Sequence, residues 1–289
     1  MILLRRLRGM RKVGDAGMKA TVASATIALV LGVLGPPEAW GQETSGQGSQ
    51  AKNQPPPPVQ ESPLSFRVSP YLWMAGLSGD VGINSRLPVI DVDVDFTDIF
   101  EHIDWTPPPI MLAGEVRYER FGLVSDLVFL GLESDFARSR GPVSVAAEVH
   151  LDTIVWSFAG AYRVVQDGSA TVDLLAGGRL WNIDAKGTLT GPLATRQRSG
   201  SQTWVDPIVG VLGRLELGGG FALQVEGDVG GFGVSSDIDW QVLGTIQYEL
   251  EDWIALEAGY RHLAVDFEDD GFVFDAALSG PLIGASLRF

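Results

Sequence analysis

The feature that most limits what this chain can fold into is a two-residue alternation of side-chain character, sustained over ten or more residues and repeated along the chain. In residues 238–250, Ile238, Trp240, Val242, Ile246, Tyr248 and Leu250 alternate with Asp239, Gln241, Thr245, Gln247 and Glu249. A β-strand sends successive side chains to opposite faces, so each such segment is a strand with one apolar and one polar face. Soluble strands average about five or six residues. Segments about twice as long suit a wall that meets lipid outside and a polar interior inside. In the last segment Pro281, Ile283, Ala285, Leu287 and Phe289 fall on one face, and Gly280, Leu282, Gly284, Ser286 and Arg288 on the other.

Ten segments read this way: 66–77, 110–119, 123–132, 149–164, 171–183, 204–216, 221–231, 238–250, 254–267 and the one ending at Phe289. The tenth slips phase near residues 279–281, which predicts a bulge there. Connections after the even-numbered segments are short and those after the odd-numbered ones mostly longer, the asymmetry of a membrane barrel. Tyr118, Phe121, Tyr162, Phe221, Tyr248, Trp253 and Phe289 cluster at the short-turn side as an interfacial girdle, and Phe129 and Trp240 suggest a second belt. The expected fold is all-β: a closed antiparallel transmembrane barrel of about ten strands over residues 65–289, with eight or twelve strands as alternatives.

Composition agrees. The 36 glycines among 289 residues suit many strands and tight turns rather than a helical bundle, and the absence of cysteine excludes disulfides and thiolate metal sites. Arg5, Arg6, Arg8, Arg11, Lys12 and Lys19 precede an apolar run over residues 22–34, too short to span a bilayer as a helix. Residues 1–41 therefore read as a secretory signal with its cut after Gly41, and Met18 as an alternative start. Residues 42–64, with a proline run at 55–58, read as a disordered linker. The formal charge is −15, and six of the 21 basic residues but only two of the 36 acidic ones lie in the leader, so the remainder is more acidic still. Nucleic acid is excluded as a partner, since phosphate binding needs basic clusters. No cofactor or metal is expected, and a monomer is.

The stretch Ser69-Pro70-Tyr71-Leu72-Trp73, followed by Gly76-Leu77-Ser78-Gly79-Asp80-Val81-Gly82 and by Phe96-Thr97-Asp98-Ile99-Phe100, resembles a widespread family of bacterial outer-membrane β-barrel proteins. Gly259-Tyr260-Arg261 and residues 272–289 continue the resemblance, and Phe289 resembles the assembly signal of such barrels. The resemblance implies outer-membrane lipid and the barrel-assembly machinery as partners. It implies no catalytic residue.

Three places are candidates for function. By alternation Arg67, Glu115, Arg117, Asp126, Arg163, Asp173, Arg179, Asp206, Arg214, Glu226, Asp228, Glu257, Arg261 and Arg288 face the lumen. They form either a salt-bridge network filling the interior or the lining of a small-solute pore, and a barrel of about ten strands favours the network. The second place is residues 79–109. Here Asp91, Asp93 and Asp95 share one face, and residues 96–105 read as an amphipathic helix capped by Thr97 or Asp98. Phe96, Ile99, Phe100 and Ile103 form its stripe, with Trp105 at its end, and the segment is a candidate plug over lumen-facing Tyr71, Trp73 and Trp181, or else lies over the mouth or in the lipid interface. The third is catalysis by His102, His150 or His262, with Asp152 beside His150. No nucleophile elbow or zinc-protease motif accompanies them, and an enzyme is not expected. The expected role is envelope structure or small-solute passage. Ligand or cation binding by acidic loops and outer-membrane hydrolysis are the alternatives.

Overall fold

The structure, a computed structural model, describes residues 64–82, 89–103, 108–140, 143–190 and 195–289. The expected signal and nearly all of the linker lie outside the described residues, as does Trp105. Twelve strands and one short helix follow in chain order: β1 (Leu64–Trp73), β2 (Gly76–Gly82), β3 (Ile90–Val94), α1 (Phe96–Glu101), β4 (Ile110–Tyr118), β5 (Phe121–Arg140), β6 (Val143–Asp167), β7 (Ala170–Thr190), β8 (Thr195–Gly218), β9 (Phe221–Gly230), β10 (Ile238–Glu251), β11 (Ile254–Asp269) and β12 (Phe272–Arg288). The sheet runs β1-β4-β5-β6-β7-β8-β9-β10-β11-β12 and closes through β1–β12 pairing, so ten strands make the wall. Closure leaves the wall without an edge within the membrane.

β1 and β2 form one path along β12. The register from Arg67↔Arg288 to Trp73↔Leu282 continues unchanged as Gly76↔Ser279 to Gly82↔Val273. The change is on the other side, where β1 pairs with β4 and β2 with β3.

The bulge expected at residues 279–281 is absent. β12 keeps one register against β11 from Phe272↔Asp269 to Leu287↔Ile254. Phe272, Phe274, Ala276, Leu282 and Ser286 are all buried, so even-numbered residues face inward along the whole strand. The apparent slip arises because Phe272 and Phe274 put apolar rings on the inward face that ends in Gly284, Ser286 and Arg288. Gly280 has its own reason: a Cβ there would lie 1.9 Å from the Met74 carbonyl oxygen, so only glycine lets the strands approach.

At one end the hairpins turn tightly. Gly218, Gly219 and Gly220 all take positive φ (83°, 64° and 82°), a conformation that favours glycine. At the other end the expected long loops prove to be extended hairpins. β5 pairs with β6 out to Arg140↔Val143, and β7 with β8 out to Thr190↔Thr195. β11 and β12 join through Asp270 and Gly271 alone (φ 49° and 86°).

The outward face is apolar and exposed: Val116, Leu123, Phe158, Leu174, Val209, Val211, Val225, Val242, Ile246, Leu256 and Ile283 all point away from the interior. So large a continuous apolar exterior is a lipid-facing surface. The girdle residues Tyr118, Phe121, Tyr162, Phe221, Tyr248, Trp253 and Phe289 are exposed at the tight-turn end, with Phe121 against Tyr162 (5.2 Å between ring centroids) and Phe221 against Tyr248 (4.7 Å). Above the band the outward positions become polar, with Glu133 near His150 (3.6 Å), Asn182 donating to Thr203 (2.6 Å), and Asp266 opposite Asp275. An even-stranded closed barrel with an apolar belt, an aromatic girdle and tight turns at one end is a barrel of the bacterial outer membrane, its tight turns toward the periplasm.

Candidate functional site

Strand parity carries fourteen charged side chains into the barrel, and the structure sorts them by height. Seven lie at the tight-turn mouth. Arg67 meets Glu115 (3.3 Å), Arg117 meets Glu115 (2.7 Å) and Asp173, and Arg163 meets Asp173 (2.9 Å). Arg214 meets Glu216 (2.7 Å) and Glu249 (3.7 Å), and Arg288 also pairs with Glu249.

The other seven lie deeper. Arg179, on β7, reaches across to β9 and β10: Nη2 donates to both Asp228 carboxylate oxygens (3.0 Å each), Nη1 to Asp239, and Nε to the Ser157 hydroxyl (2.8 Å). Arg261, on β11, donates to Asp126 of β5 (2.8 Å) and to the Tyr71 hydroxyl (3.0 Å), which itself donates to Asp126 (2.8 Å). Arg179, Asp206 and Asp239 have no exposed surface.

Pairing is not uniform. Asp206, Glu226 and Glu257 are held by neutral donors instead. Asp206 accepts from the Ser236 amide (2.8 Å) and the Trp204 indole (3.0 Å), Glu226 from Gln241 (2.9 Å), and Glu257 from Gln247 (3.2 Å). Asp239 and Glu249, both central to the pairing, are not among the fourteen. Their inward parity is readable in the sequence, but their height beside an arginine is not.

Above the charges sits a layer of rings. Trp204 stacks on Phe267 (3.9 Å between centroids, 6° between planes) and on Trp181 (5.8 Å, 8°), and Phe272 and Phe274 meet Trp204 edge-on. Leu263 and Val265 of β11, Trp73 of β1 and Leu282 of β12 complete the cluster. Tryptophan joins two layers because its ring is apolar and its N–H polar. Trp181 donates down to Asp239 (2.8 Å), Trp204 donates to Asp206, and the Arg261 guanidinium lies 4.8 Å from the Trp73 ring centre.

The candidate plug is shorter than its apolar stripe predicts. α1 ends at Glu101, and its N-cap is Asp95, not Thr97 or Asp98, with no side-chain capping bond. Ile103 leaves the helix to bridge Leu132 of β5, and the Glu133 amide donates to the His102 carbonyl (2.8 Å). Ile99 is buried, whereas Phe100 is 45% exposed and packs on Phe96 (5.6 Å). The segment therefore touches β2 and links to the edge of β5, while strand side chains make the buried ring layer of the lumen. Tyr71, Trp73 and Trp181 pack in that filling.

The three histidines lie apart. The His102 ring nitrogen contacts the Asp98 carbonyl (2.7 Å). His150 faces Glu133 rather than Asp152. His262 meets Ser279 (2.5 Å) and Trp240 on the lipid-facing wall.

Asp91 and Asp93 lie on β3, and Asp91 ends a row of aspartates in cross-strand register: Asp266↔Asp275, Asp275↔Asp80 and Asp80↔Asp91. Among the described residues no three carboxylates or imidazoles converge as a metal site requires. Like charges placed opposite destabilise a sheet. Asp266 lies above the apolar band. Partial burial raises its carboxyl above the ordinary range, and Asp275, Asp237 and Glu268 push it further up. A carboxyl raised in the folded state adds stability below its unfolded pKa and loses it as pH rises through the folded value. Asp266→Asn is thus expected to raise the unfolding midpoint near about pH 7 and leave it unchanged near about pH 3.5. Melting curves of both proteins at both pH values check this, and a shift at the acidic pH would show that the effect is not electrostatic.

Neither a protein-family model nor a curated protein matches the chain in sequence. Solved structures match it in shape. The outer-membrane protease OmpT from Escherichia coli aligns with 78% of this chain and 96% of its own, at 8% identity and a TM-score of 0.47. The translocator domain of the autotransporter NalP from Neisseria meningitidis aligns over 80% and 90%, at 11% identity and a TM-score of 0.42. Ail, the attachment invasion locus protein of Yersinia pestis, aligns over 78% and 98%, at 11% identity and a TM-score of 0.30.

Proposed function

We propose that this chain is a closed, non-catalytic barrel with an envelope-structural role, of the outer-membrane family that residues 69–73 and 76–82 resemble. One observation carries the reading: a layer of lumen-facing side chains that crosses the interior is dry. In a conducting barrel, lumen-facing groups are wetted by the channel. Here Trp181 and Leu263 have no exposed surface, and Trp204, Phe267, Phe272 and Phe274 are each at most 6% exposed. Rings from β7, β8, β11 and β12 meet at the same height, and Arg179 and Asp239 lie buried at the level below. Such a barrel anchors what its two ends present, and passes nothing between them.

Planar-bilayer recording of the refolded protein tests this. The intact protein is expected to be silent, and the same protein without α1 to be silent too, because strand residues make the closure. Trp204→Ala combined with Phe267→Ala removes the two stacked rings and is expected to introduce discrete conductance steps. Steps from the intact protein would overturn the closed reading in favour of a small-solute pore.

A further inference from the structure

We infer that the outer part of β8 is a docking edge that takes up an extended segment of another polypeptide as an added strand. Two wall strands stop short at the outer end: β9 ends at Gly230 and β10 begins at Ile238. β8 continues above them, out to Thr195, with β7 along one side. Its pairing with β9 ends at Ile208↔Gly230. Among the described residues no strand lies beside residues 199–205 on that side.

Two contacts at the foot of this edge give the direction of its backbone groups. The Gly231 amide donates to the Pro207 carbonyl (3.2 Å), and the Ser235 hydroxyl donates to the Val205 carbonyl (2.8 Å). An antiparallel residue turns its N–H and C=O to the same neighbour, and the next residue turns them to the other. The odd-numbered residues of β8 therefore face away from β7. Ser199, Ser201 and Thr203 repeat that direction about every 6.8 Å, and all three are exposed. The Thr203 side chain leaves the edge uncovered, because its hydroxyl accepts from Asn182 of β7.

Proteins blunt an open edge with lysine, proline, other charge or a bulge. Residues 199–205 read Ser-Gly-Ser-Gln-Thr-Trp-Val, without charge or proline. The β7–β8 register runs unbroken from Ala170↔Leu215 to Thr190↔Thr195, so no bulge turns the edge away. The opposite edge of the same extension, on β5, is covered: Ile103 bridges Leu132, and the Glu133 amide donates to the His102 carbonyl.

The occupant is a polypeptide, because a row of alternating donors and acceptors at this spacing is complementary to extended backbone. Hydrocarbon would leave those groups unpaired. A second copy in the same membrane does not fit. Barrel strands tilt about 35–45°, so a two-fold axis along the membrane normal would cross two β8 edges at about 70–90°. Space is present: with β9 and β10 absent, β8 and β11 stand about 14 Å apart along the wall, enough for two strands. At the foot, the loop held through Ser235 and Ser236 carries Phe232 and Val234, 56% and 70% exposed. These select a segment with an apolar residue where it enters. The edge stands above the lipid band, so the partner is met outside the cell, whether or not the lumen is closed.

Amide exchange read by NMR on the barrel in nanodiscs tests the edge. The probe is a lysine-flanked peptide of alternating valine and threonine. In the free barrel the Ser199, Ser201 and Thr203 amides are expected to exchange freely, and those of Gly200 and Gln202 slowly. Excess peptide is expected to slow the three odd amides and leave the even ones unchanged. Ser201→Pro removes a donor on the open side, so it is expected to leave the fold intact. It is expected to weaken peptide binding about tenfold, through one lost ladder hydrogen bond and the clash of the ring. Gln202→Pro breaks the ladder to β7 and is expected to lower the unfolding midpoint. Slow exchange at the odd amides of the free barrel would show the edge already covered and overturn the proposal. Protection that grows with barrel concentration alone would assign the edge to a second copy and overturn the foreign strand. Absence of protection by the peptide, or binding that Ser201→Pro leaves unchanged, would overturn it as well.

Discussion

Arg179→Met lowers the stability of the folded barrel by about 3–5 kcal/mol, read as an earlier midpoint in urea unfolding from detergent. Methionine is close to arginine in length but has no donor. The loss leaves Asp228 and Asp239 facing each other's charge in the dry interior, with side-chain exposures of 1% and 0%. A lone buried charge is far more costly than the pair was favourable, which is where the magnitude comes from. Two comparisons isolate that cause. Lys186→Met removes one partner of an exposed pair with Asp184, side-chain exposures 52% and 37%, and is expected to cost no more than about 1 kcal/mol. Adding Asp228→Asn and Asp239→Asn to Arg179→Met is expected to recover much of the loss, because neutral groups of the same shape need no counter-charge. If Arg179→Met unfolds at the wild-type midpoint, water reaches this level and the interior is not the dry network described.

The inward positions were readable because a barrel wall is periodic. Parity along each strand places all fourteen lumen charges, from Arg67 on β1 to Arg288 on β12, on the interior side. Parity has no information about partners across the lumen, and even register does not decide them. Arg179 stands directly opposite Asp206, yet its guanidinium reaches across to Asp228 and Asp239 and leaves Asp206 to Ser236 and Trp204. The alternation also assumes that apolar means lipid-facing. That holds through the membrane band and fails above it, where Phe272 and Phe274 turn inward to meet Trp204. The extended hairpins are illegible in the sequence for a related reason. Above the bilayer no apolar face is required outside, so polar sequence such as Glu133-Ser134-Asp135 reads as loop although the ladder continues through it. The sequence implies a longer helix than Phe96–Glu101 because Phe96, Ile99, Phe100 and Ile103 match a helical stripe. Ile103 instead caps the edge of β5, a contact between segments that local spacing does not encode.

Val242→Arg and Gln241→Arg test the wall itself, since neighbouring residues on β10 meet opposite solvents. Val242 is 48% exposed, lies between Ile246 and Trp240 on the outward face, and pairs with Gly227 and His262. An arginine there enters hydrocarbon and is expected to cost about 2–4 kcal/mol, less near the interfaces. Gln241 is 3% exposed and donates to Glu226, a carboxylate held by this amide rather than by an ion pair. An arginine at 241 overpacks the interior, by itself a loss of about 1–3 kcal/mol. It also gives Glu226 a charged partner, which offsets much of that loss. Gln241→Arg is therefore expected to unfold well after Val242→Arg in the same urea titration from lipid vesicles. Solvent identity also makes the pair respond differently to the medium. Thinning the bilayer brings Val242 closer to water and should shrink its penalty, while leaving the effect at Gln241 unchanged. Equal midpoints, or equal responses to bilayer thickness, would mean that β10 is turned the other way. The inward placement of Asp239 and the dry Arg179 cluster built on it would then fall together.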